Sequence, residues 1–232
     1  MNIDKTMKYI TPISYSMIVA RDKRAGIGLG NGLPWPKCKV DFDWFKRHTM
    51  GKLMVMGFKT WETMGSRPLP GRISCVLTTK QEYLQGKEYN KVDTGPFSGF
   101  VIFFQSISAF KRWLTVNVGT EFEVPAPKKQ GETEFKSMTV TVMGEIMVIG
   151  GATVYQEFQN DINSIYLTTF EGHWEADTFL DIDLYGWEMR YHDSTSKLNP
   201  VFQIYTRQPI MVANHGWMPG HNTKGDDNVQ DS

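Results

Sequence analysis

Short unbroken apolar runs, separated by segments of helical period, set the rhythm of this chain. Residues 13–20 (Ile-Ser-Tyr-Ser-Met-Ile-Val-Ala), 53–57, 73–79, 100–104, 145–150 and 162–170 are too short for buried helices and rich in branched or aromatic residues, as buried strands are. Between them lie helical stretches at about 40–50, 59–64, 107–114 and 152–158. In the first, Asp41, Phe45 and His48 fall at i, i+4 and i+7, on one face. Ser106 is placed to N-cap the third. Residues 187–194 and 201–207 alternate like an antiparallel pair. Strands alternating with helices and closing on a β pair predict an α/β fold. Its central sheet is mainly parallel, with helices on both faces and an antiparallel C-terminal edge.

Three stretches break the rhythm. Residues 1–12 read as a polar N-terminal extension. Residues 115–141 hold Pro125, Pro127, Lys128 and Lys129 between Thr/Val-rich runs, which predicts an inserted β-ribbon or a long loop. Residues 208–232 form a C-terminal tail whose last part, 214–232, is rich in Gly, Asn and Asp and predicted to be disordered. One domain, 13–207, remains.

With 232 residues, 41% hydrophobic and 13% aromatic, the chain has enough apolar surface for one substantial core. Its 25 basic and 25 acidic residues cancel, so no overall basic excess points to nucleic acid. No apolar stretch approaches the ~20 residues of a membrane span, and the N-terminus lacks the apolar core of a secretory signal. The two cysteines form no disulfide framework: Cys75 reads as a core residue and Cys38, between Lys37 and Lys39, as a surface thiol. A cytoplasmic protein is the expectation, either a monomer or a homodimer.

Candidate chemistry gathers at strand ends. Gly150-Gly151 follows the apolar run Ile146–Ile149 and opens directly into a helix. That geometry brings bare backbone and unpaired N–H groups to an anion, or else makes only a tight turn. Gly57 with Thr60, and Thr78-Thr79-Lys80, end two further strands, and three such ends at one sheet edge suit a dinucleotide. Gly26, Gly28, Gly30 and Gly32, closed by Leu33-Pro34-Trp35-Pro36, form a surface loop or a mobile lid. Asp41 stands among Val40, Phe42, Trp44 and Phe45, either as an exposed carboxylate at a helix N-terminus or as a ligand-binding acid.

Taken in series, these segments resemble dihydrofolate reductase. The runs carrying the resemblance are Ile27-Gly28 with Leu33-Pro34-Trp35; Asp41 with Trp44-Phe45-Lys46-Arg47; Met56-Gly57 with Thr60-Trp61-Glu62; Arg67 through Arg72; Ile146–Gly151 with Val154-Tyr155; Ile165–Thr168; and Asp177-Thr178. They stand in the family's order across about residues 14–207. The resemblance implies hydride transfer from NADPH to 7,8-dihydrofolate, giving tetrahydrofolate for one-carbon and thymidylate synthesis, with no metal. It makes Asp41 the acid that holds the pterin, with water delivering the proton, and Thr168 its hydroxyl support. Leu33, Trp35 and Tyr155 complete the catalytic set around the nicotinamide.

The resemblance places Ile18, Val19, Phe42, Phe45, Met64, Leu69 and Ile149 around the substrate, and Arg72 on its glutamate carboxylate. Ala20, Ile27, Gly28 and Asn31 from the lid, and Gly57, Phe58, Lys59 and Thr60, fall to the cofactor. So do Thr78, Thr79, Lys80, Gln105, Gly150, Gly151, Ala152, Thr153, Val154, Tyr155 and Thr178. The family's glycine pair takes a cis peptide. The chain departs from the pattern at Phe58 and Thr153, where the family often has basic residues for the 2′-phosphate; Lys59, Lys80 and Thr79 are left to meet it. Two other readings use the same fold: a related reductase acting on a pyrimidine intermediate of riboflavin synthesis, and a catalytically idle folate- or nucleotide-binding module.

Overall fold

The computed structural model describes residues 13–30, 32–93, 100–128, 134, 136–194 and 200–207. The extension 1–12, Asn31 and the tail 208–232 lie outside the described residues. The first half of the chain runs β1 (Ser14–Asp22), β2 (Gly26–Gly28), α1 (Lys39–Thr49), β3 (Leu53–Gly57), α2 (Phe58–Thr63), β4 (Ile73–Leu77), α3 (Gln81–Leu84), β5 (Tyr89–Asp93) and β6 (Phe100–Phe104). The second half runs α4 (Ile107–Asn117), β7 (Glu121–Pro125), β8 (Ser137–Thr141), β9 (Glu145–Gly150), α5 (Ala152–Phe158), β10 (Ile162–Phe170), β11 (Thr178–Phe179), β12 (Trp187–Asp193) and β13 (Val201–Arg207).

Nine strands make one sheet in the order β12-β13-β10-β1-β9-β3-β4-β6-β5. The six in the middle, β10 to β6, are parallel. The predicted C-terminal edge is present, β12 on β13 on β10, all antiparallel. A second antiparallel edge, β5 on β6, was not anticipated. Tyr89–Asp93 escapes a sequence reading because both its faces are largely polar and alternate only between exposed and half-buried. The four-residue helix α3 was missed for its length. Helix α4 is longer than foreseen, and Ser106 caps it as predicted, its hydroxyl accepting from the Ala109 N–H at 3.1 Å.

Alternation along the parallel strands sorts side chains into two layers. Leu53, Val55, Ile73, Cys75, Ile102, Phe104, Ile146 and Val148 face Phe110, Trp113 and Leu114 of α4 and Val154, Tyr155 and Phe158 of α5. Their neighbours Met54, Met56, Val76, Val101, Phe103, Met147 and Ile149 face Trp44 of α1, Trp61 of α2 and Leu84 of α3. Both faces are therefore covered, as a parallel sheet requires. Full burial of each large side chain, Phe158 and Met54 among them, contributes about 1.5–3 kcal/mol.

The 115–141 stretch resolves into the end of α4 and an antiparallel ribbon, β7 on β8. Buried Val124 and Val140 fasten the ribbon to the core. Its Pro125 carbonyl accepts from the Gly71 N–H at 2.7 Å, and the Gly71 carbonyl accepts from the Gly51 N–H at 2.8 Å. Gly71 has φ +75, and a Cβ there would lie 2.6 Å from Met50 Sδ, 3.0 Å from Met138 Sδ and 3.2 Å from Pro127 Cδ.

Under the C-terminal half of α1 lies a polar cluster. Glu145 accepts hydrogen bonds from Ser16, Lys52 and Tyr166. His48 packs between Trp44 and Tyr166, with ring centroids 4.1 and 4.6 Å away. Burial, with Lys52 and Arg47 adding repulsion and Glu145 opposing, lowers the His48 pKa to about 4. The unfolded imidazole takes its proton near pH 6.5. This contribution to stability is therefore complete above pH 6.5 and is lost as pH falls toward 4. Glu145 is also held below its ordinary value, so its share is lost at the acid end of the range; Asp41, whose value is raised, works in the opposite direction. His48→Phe keeps a ring between Trp44 and Tyr166 but cannot titrate. Its Tm should vary less than that of wild type between pH 6.5 and 4, measured by thermal scans at constant ionic strength; an equally steep curve would assign the dependence to other groups.

Candidate active site

Helix α1 begins beside the C-terminal end of β1 and places Asp41 in its first turn, 8% exposed. Thr168 of β10 lies opposite Ala20 of β1 and is almost fully buried. Burial pushes the Asp41 carboxyl above the usual carboxylate range, and a hydrogen bond from the Thr168 side chain works against that rise. A buried acid of this kind is held ready to pair with a hydrogen-bonding ligand.

The surroundings of Asp41 are apolar. Ile18 and Ile149 are buried; Phe45, Met64 and Leu69 are partly buried against the same cluster. Phe42 is 46% exposed and Leu33 48% exposed, so both offer apolar surface to a ligand. Val19 points to the other face of the sheet, into the α4–α5 core. Trp35 stacks on Phe170 at 4.2 Å, and its buried indole Nε1–H has no partner among the described residues. The Tyr155 hydroxyl donates to the Ile18 carbonyl at 2.8 Å, joining α5 to β1.

Arg72 is a second buried charged group, joined to α1 through Thr49. It is 7% exposed, and burial lowers its pKa to about 10. Its Nε donates to the Pro70 carbonyl at 3.0 Å and its Nη1 to Thr49 Oγ1 at 3.1 Å. No carboxylate among the described residues pairs with it, and Nη2 remains free for one. Thr49, whose own hydroxyl donates to the Phe45 carbonyl at 2.8 Å, thus links the arginine to α1.

The other half of the site is a row of strand ends. Met56 pairs with Gly150, Gly57 with Leu77, and Leu77 with Phe104, so Gly57, Thr78, Gln105 and the glycine pair lie along one edge. The Gly150-Gly151 peptide is cis. A Cβ on either glycine would sit 3.4 Å from Thr60 Oγ1, and one on Gly57 would sit 3.2 Å from Val154. Helices α2 and α5 start from Gly57 and Gly151 with no side-chain cap, which leaves their first-turn N–H groups to a ligand. Ala152 and Thr153 belong to that first turn of α5, and Lys59 to that of α2.

Thr79 and Lys80 are exposed at the end of β4. The Lys80 ammonium lies 4.0 Å above the Phe58 ring and 3.5 Å from Glu62 Oε1. The glycine-rich segment runs from β2, which pairs with β11 across Gly28 and Thr178. The Asp177 N–H donates to the Gly28 carbonyl at 2.9 Å, and Asp177 Oδ2 accepts from the Gly30 N–H at 2.7 Å. Ile27 packs against the core on the α4–α5 side.

A family model described as dihydrofolate reductase matches residues 14–95 and 116–207. The chain belongs to the dihydrofolate reductase family. It is 32% identical over 167 residues to a dihydrofolate reductase of Buchnera aphidicola, covering 72% of this chain and 77% of that one. It is 27% identical over 202 residues to that of Haemophilus influenzae, covering 84% of this chain and all of that one. Among solved structures, a dihydrofolate reductase from Enterococcus faecalis, complexed with NADP(H) and RAB-propyl, shares the fold with a TM-score of 0.57. That match has 22% identity and covers 84% of this chain and 97% of that one.

For this dihydrofolate reductase family member, the structure brings together the residues predicted at Asp41, Thr168, Ile18, Ile149, Tyr155, Gly57, Thr60 and the glycine pair. Sequence reasoning missed Thr49 as the partner of Arg72, although its place eight residues after Asp41 in the same helix was a usable signal. Removing the Thr168 hydroxyl should raise the Asp41 pKa further, because the bond that favours the ionised form is lost. The check is the pH titration of the Asp41 carboxyl carbon by NMR in wild type and Thr168→Val; an unchanged or lower midpoint in the variant would contradict this coupling.

Proposed function

We propose that the chain reduces 7,8-dihydrofolate to 5,6,7,8-tetrahydrofolate with NADPH, and that Asp41 is the residue on which turnover depends. The observation that carries this reading is a buried carboxyl, Asp41, hydrogen-bonded by the Thr168 side chain, in a fold whose glycine-led helices α2 and α5 start without side-chain caps. Asp41 accepts the pterin's amino group and ring N–H and holds the ring in register. In a dry pocket such charge-assisted bonds are strong. Its negative charge favours protonation of the ring nitrogen beside the carbon to be reduced. The indole N–H of Trp35, buried and without a partner among the described residues, is the donor we assign to the water that carries the proton. Arg72 clamps a carboxylate of the glutamate tail through its free edge, for which its planar fork is suited.

The cofactor-facing residues fit a dinucleotide. Only glycine at 57, 150 and 151 leaves room for close approach, and the bare N–H groups of α2 and α5 suit a pyrophosphate. NADPH supplies the hydride when bound. Tyr155 and the Ile18 carbonyl keep α5 and β1 at a fixed spacing on the nicotinamide side, and the lid excludes water. No helix among the described residues is long and apolar enough to cross a membrane. We place the enzyme in the cytoplasm as a monomer acting on a small molecule rather than on nucleic acid, in keeping with its zero formal charge and two unpaired cysteines.

The direct test is loss of NADPH absorbance on adding dihydrofolate. Asp41→Asn preserves shape and removes charge, so turnover at pH 7 should drop by roughly 100-fold or more with the fold intact by circular dichroism. Near-wild-type turnover in that variant would falsify the role given to Asp41.

Cofactor choice is set by an unusual cation. Lys80 is about half exposed and shared between the Phe58 face and Glu62, so it meets a 2′-phosphate as a screened, partly neutralised point charge. NADPH should be preferred over NADH by a modest margin that narrows as ionic strength rises and narrows again in Lys80→Ala. The ratio of kcat/KM for the two cofactors at low and high salt measures this; a wide margin surviving both changes would show that another basic group reads the phosphate.

A further inference from the structure

Among the described residues three charged side chains are buried: Asp41, Arg72 and Asp22. The first two belong to the substrate cleft. Asp22, 1% exposed at the end of β1, takes no part in the chemistry described so far, yet burying a carboxylate is costly unless it is fully hydrogen-bonded. Its oxygens are engaged on two sides. Oδ1 accepts from the backbone N–H groups of Arg24 and Gly26, both at 2.8 Å. Oδ2 accepts from the Trp174 N–H at 3.0 Å, across a separation of more than a hundred residues.

The same two segments meet at successive levels. Arg24 Nη2 donates to the Trp174 carbonyl at 2.8 Å, and the Leu180 N–H donates to the Ala25 carbonyl at 2.9 Å. Ala25 takes a left-handed conformation, φ 64, inside this turn. A Cβ on Gly26 would lie 2.8 Å from the Cβ of Ala176, so the backbones are in close contact. Beyond them Gly28 and Asp177 are bonded, and there the lid begins. Lys23 and Glu171 form an ion pair on the outside, both half-exposed.

We propose that Asp22 is a positioning residue for hydride transfer: its carboxylate locks segment 24–28, the root of the lid, onto segment 174–178. Gly28, whose carbonyl accepts from the Asp177 N–H, is then held at a fixed position where the glycine-rich segment begins. The inference rests on the dihydrofolate reductase reading and adds to it a residue that touches neither substrate nor cofactor. Burial alone would raise the Asp22 pKa, but the three N–H donors and Arg24 outweigh it and hold the carboxyl below the ordinary range. The clamp is thus charged throughout the working pH range. An amide cannot replace it, since its NH₂ would face one of the N–H donors.

The experiment is single-turnover hydride transfer from NADPH and from its deuterated form, with dihydrofolate KM and Tm, in wild type, Asp22→Asn, Gly26→Ala and Lys23→Ala. Asp22→Asn should slow hydride transfer by about 10- to 100-fold, the scale of a small misplacement of reacting groups. The dihydrofolate KM should change by less than about three-fold, since the substrate cleft is untouched. Gly26→Ala forces the same two segments apart while keeping the charge, and should slow the same step. Lys23→Ala removes only the exposed pair and should stay within about two-fold of wild type.

A purely structural role predicts a different result: lower Tm in Asp22→Asn, with the hydride-transfer rate and isotope effect unchanged when assayed well below Tm. That outcome would overturn the proposal. If Asp22→Asn does not fold, Gly26→Ala decides, and an unchanged rate there overturns it equally. Wild type lacking NADPH-dependent dihydrofolate reduction would instead remove the parent reading, which the same assay reveals first.

Discussion

A parallel sheet has to be buried on both faces, and that constraint organises this molecule. Six parallel strands can be connected only by crossovers, so every strand ends at one edge and every following helix starts there. Alternating side chains divide the apolar content between a layer under α4 and α5 and a layer under α1, α2 and α3. The chemistry follows from what the connections leave at the edge. Gly57 and Gly150-Gly151 expose helix starts, while α1 enters beside β1 and carries Asp41 down to the same level.

Charge burial shows how the fold distributes its costs. Asp22 is fully engaged by backbone donors and stays ionised; Asp41 has one supporting hydroxyl and is raised; Arg72 has a hydroxyl and a carbonyl and is lowered. The completeness of the hydrogen-bonding separates their roles. A saturated carboxylate is a fastening, whereas an under-coordinated acid or guanidinium keeps hydrogen-bonding capacity for a ligand.

Much of this was legible before any coordinates. The glycine pair after Ile146–Ile149, the helical face of Asp41, Phe45 and His48, and the run Arg67 to Arg72 are local patterns, and local patterns survive in sequence. What failed depended on distant partners. Nothing local marks Asp22, because one of its three donors comes from Trp174. Tyr89–Asp93 becomes a strand only because β6 offers an edge to its otherwise polar backbone. The stretch at 115–141 left open a ribbon or a loop, and Val124 and Val140 decide it by reaching the core. The sequence does not show that the Lys80 ammonium lies over the Phe58 ring and beside Glu62, because those contacts are set by the fold.

The ribbon β7–β8 has a consequence for how this enzyme can diverge. Its Pro125 carbonyl holds Gly71, which in turn holds Gly51, so the turn bearing Arg72 is the middle member of a three-part hydrogen-bonded stack. Met50 just past α1, Pro127 just past β7 and Met138 of β8 close in on Gly71, leaving no room for a side chain. Position 71 is therefore fixed twice, by its φ of +75 and by the three side chains packed against it. The ribbon and the turn that bears Arg72 are thus one mechanical unit.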